Sequence, residues 1–233
     1  MALNRLLCLA AGSVMLSIIS LSAFAEGGII IQGTRIIYPQ GAKQQTVSLK
    51  NSSKTNSFLV QSWAESADGK KTSDFQIIPP LYLSGPENEN IMRLIYTGPP
   101  LPNDRESLYF FSVKAIPSMD KKEQNNQAVI TFSTVTKIKL FVRPSGLKIS
   151  PEQAPARLQF DVKGDVFKVT NPTPYYITLV NLKAGKGKLD SLMVPPKGNA
   201  ETKVKNFTGN EITFQNINDY GGVTKAMNKA LEH

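Results

Sequence analysis

Apolar and polar residues alternate along most of this chain, and the pattern is longest over residues 128–144. Ala128, Ile130, Phe132, Ile138, Leu140 and Val142 share one parity, while Thr131, Ser133, Lys137, Lys139 and Arg143 share the other. Successive side chains of a strand point to opposite faces, so the pattern predicts one long strand, apolar on one face and cationic on the other. Such a strand is either an ordinary sandwich strand or an edge that lends apolar side chains to another chain while nearby cations hold that chain's carboxylate.

The same alternation predicts shorter strands at 29–32, 34–38, 45–50, 57–65, 75–78, 81–83, 89–96 and 106–115. Pro79-Pro80, Ser84-Gly85-Pro86 and Gly98-Pro99-Pro100 punctuate them. Pro144, Gly146, Pro151 and Pro155 mark a hinge over 145–155, after which strands are expected at 158–163, 166–171, 176–183, 193–195, 201–205 and 211–216. Helical periodicity is confined to 224–231. The chain is therefore expected to be all-β, with two immunoglobulin-like sandwiches over 26–144 and 156–233. Trp63 is expected as a buried aromatic between sheets.

The N-terminus changes the picture. Arg5 precedes an apolar run from Leu6 to Leu21, followed by Ala23-Phe24-Ala25, which is the layout of a secretory signal peptide over 1–25. Gly12, Ser13, Ser17 and Ser20 interrupt the run and argue against a retained anchor, and no later segment is apolar enough for stable membrane insertion. Removing 25 of the 233 residues leaves 208, and Cys8, the only cysteine, goes with them. The mature chain then has neither an internal disulfide nor a thiolate metal site.

The only histidine is His233, so triads and zinc centres that need a positioned imidazole are not expected. No Gly-rich phosphate loop or paired acids with glycosidase spacing stand out. An enzyme, a metal site and a cofactor are all unexpected. Lys and Arg number 27 against 18 acids, and losing Arg5 lowers the balance from +9 to +8. That charge suits nucleic acid, an anionic surface or a carboxylate ligand. The lysines are scattered in pairs such as Lys70-Lys71 and Lys121-Lys122, without an arginine-rich block interleaved with aromatics, so nucleic acid is not the expected partner. Asn51-Ser-Ser and Asn206-Phe-Thr fit the glycosylation pattern and are read as turns without function.

Five segments together carry a resemblance. They are Thr34-Arg35, Asp104-Arg105-Glu106-Ser107-Leu108-Tyr109-Phe110, Thr136-Lys137-Ile138-Lys139-Leu140-Phe141-Val142-Arg143-Pro144, Asn171-Pro172-Thr173-Pro174-Tyr175-Tyr176, and Ile217-Asn218-Asp219-Tyr220-Gly221-Gly222. In this order and behind a secretory signal, they resemble the periplasmic chaperones of the chaperone–usher pathway, which assemble pili and fimbriae. The short polar loop over 118–127 resembles the subgroup with a short F1–G1 loop, which serves rod-like pili with tip adhesins.

The resemblance implies two immunoglobulin-like domains in a boomerang arrangement around a cleft. It implies a non-enzymatic periplasmic chaperone that folds pilin subunits by donor-strand complementation and delivers them to an outer-membrane usher. The alternative is a periplasmic adaptor or adhesive sandwich that binds an already folded partner. Arg35 and Lys139 are implied as the anchor for a subunit's C-terminal carboxylate. Ala128, Ile130, Phe132 and Thr134 are implied as donor-strand residues, and their parity, opposite to that of Lys139, calls for twist or a bulge near Thr136. Glu106, Arg143 and Asp219 are expected to form an interdomain ion network, and Arg93 is a further surface site. The exposed donor edge invites self-capped dimers of the free protein.

Overall fold

The structure, a computed structural model, describes residues 27–118, 131–185, 187–204 and 209–231. The proposed signal peptide and the donor positions Ala128 and Ile130 lie outside the described residues.

Alternation builds two facing sheets in the first half. One has the order β1 (Ile29–Ile31), β3 (Gln45–Asn51), β7 (Glu89–Tyr96), β5 (Phe75–Ile78). The other has the order β2 (Arg35–Pro39), β9 (Thr134–Arg143), β8 (Ser107–Pro117), β4 (Phe58–Ser66), β6 (Leu81–Ser84). Inward side chains of one parity, Leu49, Met92 and Leu94 from the first sheet and Val60, Phe111 and Leu140 from the second, are fully buried and make the core.

The second half repeats the plan at smaller size. Strands β10 (Gln159–Lys163), β11 (Val166–Asn171) and β15 (Gly198–Lys203) form one sheet. The other contains β13 (Gly187–Lys188), β12 (Ile177–Ala184), β16 (Glu211–Asn216) and β17 (Met227–Ala230), with β14 (Leu192–Val194) also on β12. Its separate core holds Phe160, Phe167, Leu179 and Phe214, with the Phe160 and Phe214 rings 5.0 Å apart. Between the halves, Leu147 and Ile149 pack against this second core and Ala154 is buried within it.

Four expectations are corrected. Residues 227–230 are strand β17, paired with β16 from Phe214↔Met227 to Glu211↔Ala230, because an open sheet edge outcompetes an isolated short helix. The long strand starts at Thr134 rather than at 128: residues 131–133 are not strand, and Phe132 is 79% exposed with no sheet neighbour among the described residues. Of the two devices expected near Thr136, twist or a bulge, the bulge is absent, since β8 and β9 keep an unbroken register from Ala115↔Thr134 to Ser107↔Val142. Trp63 points outward, sharing its parity with Gln61 and Glu65 while Ser62 and Ala64 face the core, and its indole donates to Glu65 Oε1 at 2.8 Å.

Asn51 is fully buried at the end of β3, donating to the carbonyls of Asn56, Ser84 and Gly85. Its glycosylation pattern is therefore a sequence coincidence. Asn206 lies outside the described residues.

Candidate functional site

The site begins with an interrupted sheet edge. β2 runs parallel to β9 and pairs only with its second half, from Arg35↔Lys139 to Pro39↔Arg143. Because β2 begins at Arg35, residues 134–138 have β8 on one side and, among the described residues, no strand on the other. Their N–H and C=O groups on that side are available to another strand. The second half of β9 is closed and buried: Leu140 and Val142 enter the first core, and Phe141 stacks on Tyr176 of the second sandwich at 5.5 Å.

Two cations stand where the open edge ends. Direct pairing of Arg35 with Lys139 puts both side chains on the outward face of adjacent strands. Arg35 Nη1 donates to the carbonyl of Ile217 at 3.1 Å, and its Nε is buried without an acceptor. Lys139 Nζ donates to Thr178 Oγ1 at 3.1 Å. Both reach the second sandwich, and neither forms an ion pair with a carboxylate among the described residues. Burial pushes the Lys139 ammonium below its ordinary value, and the Arg35 charge pushes it further. Burial also lowers Arg35, against the opposing pull of Asp219 and Glu106. Two desolvated cations with spare donors are chemically suited to hold an anion such as a carboxylate.

Four residues along the same face of β9, the situation reverses. Arg143 donates from Nε to Glu106 Oε1 at 2.7 Å, and from Nη1 and Nη2 to the two oxygens of Asp219 at 2.6 and 2.8 Å. The second oxygen of Glu106 accepts the backbone N–H of Tyr176 at 2.7 Å, and the Arg143 guanidinium lies 5.0 Å from the Tyr175 ring centre. Glu106 and Arg143 come from the first sandwich and Asp219 from the second, so the network ties the two together. Burial pushes the Glu106 carboxyl up even beside Arg143, while burial's pull on Arg143 is outweighed by Asp219 and Glu106, which raise it.

The loop carrying Asp219 presses against the start of β2. A Cβ on Gly221 would come within 2.3 Å of Thr34 Oγ1, and the positive φ of Gly221 (84°) also favours glycine there. A cavity of about 310 Å³ between the sandwiches is lined by Arg35, Phe141, Arg143, Tyr176 and Asp219 among others, with Lys139 outside its wall.

The structure thus brings together Arg35 with Lys139, and Glu106 with Arg143 and Asp219. It leaves Phe132 and Thr134 exposed at the open edge. Arg93 is exposed on β7 in the opposite sheet, away from both groups. Sequence reasoning missed Glu65, which is 5% exposed on the outward face and receives Trp63, Ser112 and Lys137. The spacing Trp63-Ala64-Glu65 hinted at a shared face, but the meeting with Lys137 depends on cross-strand register.

Residues 28–148 match the family described as pili and flagellar-assembly chaperone, PapD N-terminal domain, and residues 153–227 match the pili assembly chaperone PapD, C-terminal domain. The probable fimbrial chaperone SfmC of Escherichia coli K12 is 46% identical over 207 residues, covering 89% of this chain and 90% of that protein. The crystal structure of the periplasmic chaperone SfaE superposes with a TM-score of 0.76 at 42% identity, covering 88% of this chain and 100% of that one. A Salmonella enterica structure of the SafA pilin in complex with the SafB chaperone gives a TM-score of 0.79 at 28% identity, covering 88% of this chain and 96% of that one.

Proposed function

The chain belongs to the PapD family of pilus-assembly chaperones, and on that premise we propose that it captures pilin subunits on the open edge of β9, anchored by Arg35 and Lys139. The observation that carries this reading is where the edge ends. A strand laid along 134–138 must stop where β2 begins, so one of its termini lies beside Arg35 and Lys139. Two cations without a carboxylate favour the C-terminus, and a strand whose C-terminus points toward Lys139 runs parallel to β9.

Phe132 and Thr134, with Ala128 and Ile130 ahead of them, supply side chains of one parity to the subunit's missing strand. The Glu106–Arg143–Asp219 network holds the two sandwiches so that Thr178 and Ile217 face the cations across the cleft. The protein acts without enzymatic chemistry in the periplasm, after removal of residues 1–25, and passes its subunit, tip adhesin included, to an outer-membrane usher. The free protein caps its own edge by dimerising.

Co-expression with the pilin subunit encoded nearest to this chain tests the reading. A soluble one-to-one complex is expected, with the subunit degraded when the chain is absent. A subunit that accumulates equally well alone and does not co-purify would overturn it.

A further inference from the structure

We propose that Glu65 is a positioning residue for subunit capture: it pins Lys137 to the sheet face and so holds the open half of β9 extended. This rests on the reading of that edge as the capture site.

The stretch 134–138 has little else to hold it. Among the described residues β8 is the one strand it pairs with, Thr134 and Thr136 are exposed, Val135 is 54% exposed, and Ile138 only begins to enter the core. An edge strand with so little burial opens readily. Among the described residues, the ion pair between Lys137 and Glu65 is the one salt bridge that reaches it. That pair spans three strands, because Glu65 and Trp63 lie on β4, Ser112 on β8 and Lys137 on β9, with Trp63↔Ser112 and Ser112↔Lys137 directly opposite.

Glu65 is built into the sheet as a receptor for that lysine. Oε1 accepts Trp63 Nε1 at 2.8 Å and Ser112 Oγ at 2.9 Å, leaving Oε2 for Lys137. The Lys71 ammonium sits over the Trp63 ring, 4.6 Å from its centre. Burial raises the carboxyl, but the hydrogen bonds from Lys137, Ser112 and Trp63 outweigh it and keep it low. Glu65 is also opposite Phe110, which is opposite Lys139, and the Phe110 ring lies 5.5 Å from Lys137 Nζ. The carboxylate therefore meets Lys137, Phe110 occupies the strand position between Glu65 and Lys139, and Lys139 has no carboxylate partner among the described residues.

The test compares Glu65→Gln, Lys137→Met and Lys137→Arg with the wild type. In the free protein, amide exchange at those of residues 135–138 whose N–H bonds β8 should quicken at least about tenfold in the first two variants and stay near wild type in the third, with β7 unaffected. Affinity for the same pilin subunit should fall roughly tenfold in the first two and recover in Lys137→Arg. Unchanged exchange at 135–138 overturns the proposal, as does faster exchange with wild-type affinity. A wild-type protein that binds no subunit overturns the capture reading instead, and the exchange measurement separates the two. Should Glu65→Gln fail to fold, Lys137→Met decides, since it leaves the buried carboxylate with its Trp63 and Ser112 donors.

Discussion

Arg143 and Lys139 lie four residues apart on one face of β9, both half-buried at the junction of the sandwiches, yet their surroundings are opposite. Arg143 has two carboxylates on its planar fork and is raised by them; Lys139 has a hydroxyl, a neighbouring arginine and, among the described residues, no carboxylate, and burial, helped by that arginine, lowers it. Lys137, further along the same face, is compensated by Glu65. Burial is thus shared by Arg143 and Lys139, and compensation by carboxylates among the described residues is what separates them. A cation paired inside the protein holds the fold together, whereas one left unpaired at a fixed place carries a standing desolvation cost that an anionic ligand relieves.

The harshest way to break this comparison is Arg143→Ala. It leaves Glu106, 3% exposed, facing Asp219 with no cation between them, so the melting temperature should fall by an amount equivalent to about 3–5 kcal/mol, and small-angle scattering should show the sandwiches loosened. Unchanged melting and scattering would reduce the network to surface charge.

Arg35→Ala and Lys139→Ala should do the reverse. Lys139→Ala relieves a like-charge contact, so stability should hold or rise; Arg35→Ala relieves the same contact but gives up the attraction of Asp219 and Glu106 and the bond to the Ile217 carbonyl, so stability should hold or fall slightly; in both, subunit affinity drops by about 2–5 kcal/mol, more than tenfold. Pull-down of the subunit beside a thermal melt measures both, and a variant that loses stability but keeps binding contradicts the assignment.

A smaller effect follows from pH. The free protein's Lys139 titrates below its ordinary 10.5, and a bound carboxylate raises it. The complex therefore holds more protons than the free protein between those two values. Affinity should be full below the lowered value, fall as pH rises through it, and be flat in Lys139→Arg. Titration calorimetry across that range checks the slope.

Arg93→Ala sets the baseline. This arginine is exposed on the other sheet, and its removal should change stability by less than about 0.5 kcal/mol and leave capture intact. A loss of subunit binding there would move the receptive surface to the wrong sheet.

Much of this was legible in the chain. Alternation with a period of two announced the strands, breaks at proline and glycine announced their ends, and the segments around Arg35, Glu106, Lys139, Arg143 and Asp219 carried the resemblance. Parity also told which residues of β9 share a face. What parity cannot tell is which face a second sheet covers, or whether a strand has a neighbour on each side, because those depend on residues far away in sequence. Trp63 points outward because Phe58, Val60, Ser62 and Ala64, of the other parity, take the core side. Residues 227–230 are a strand because β16 offers an edge. Asn51 is sealed beneath three carbonyls from two loops.

The sequence by itself therefore determined the all-β class, the strand faces and the types of charge available, since these follow from local alternation and composition. Only the tertiary structure decided that β2 begins at Arg35, that among the described residues β9 is closed on one half and open on the other, and that Glu65 takes Lys137 while Lys139 meets no carboxylate. Register between distant strands sets each of these, and sheet hydrogen bonds join residues the chain holds far apart.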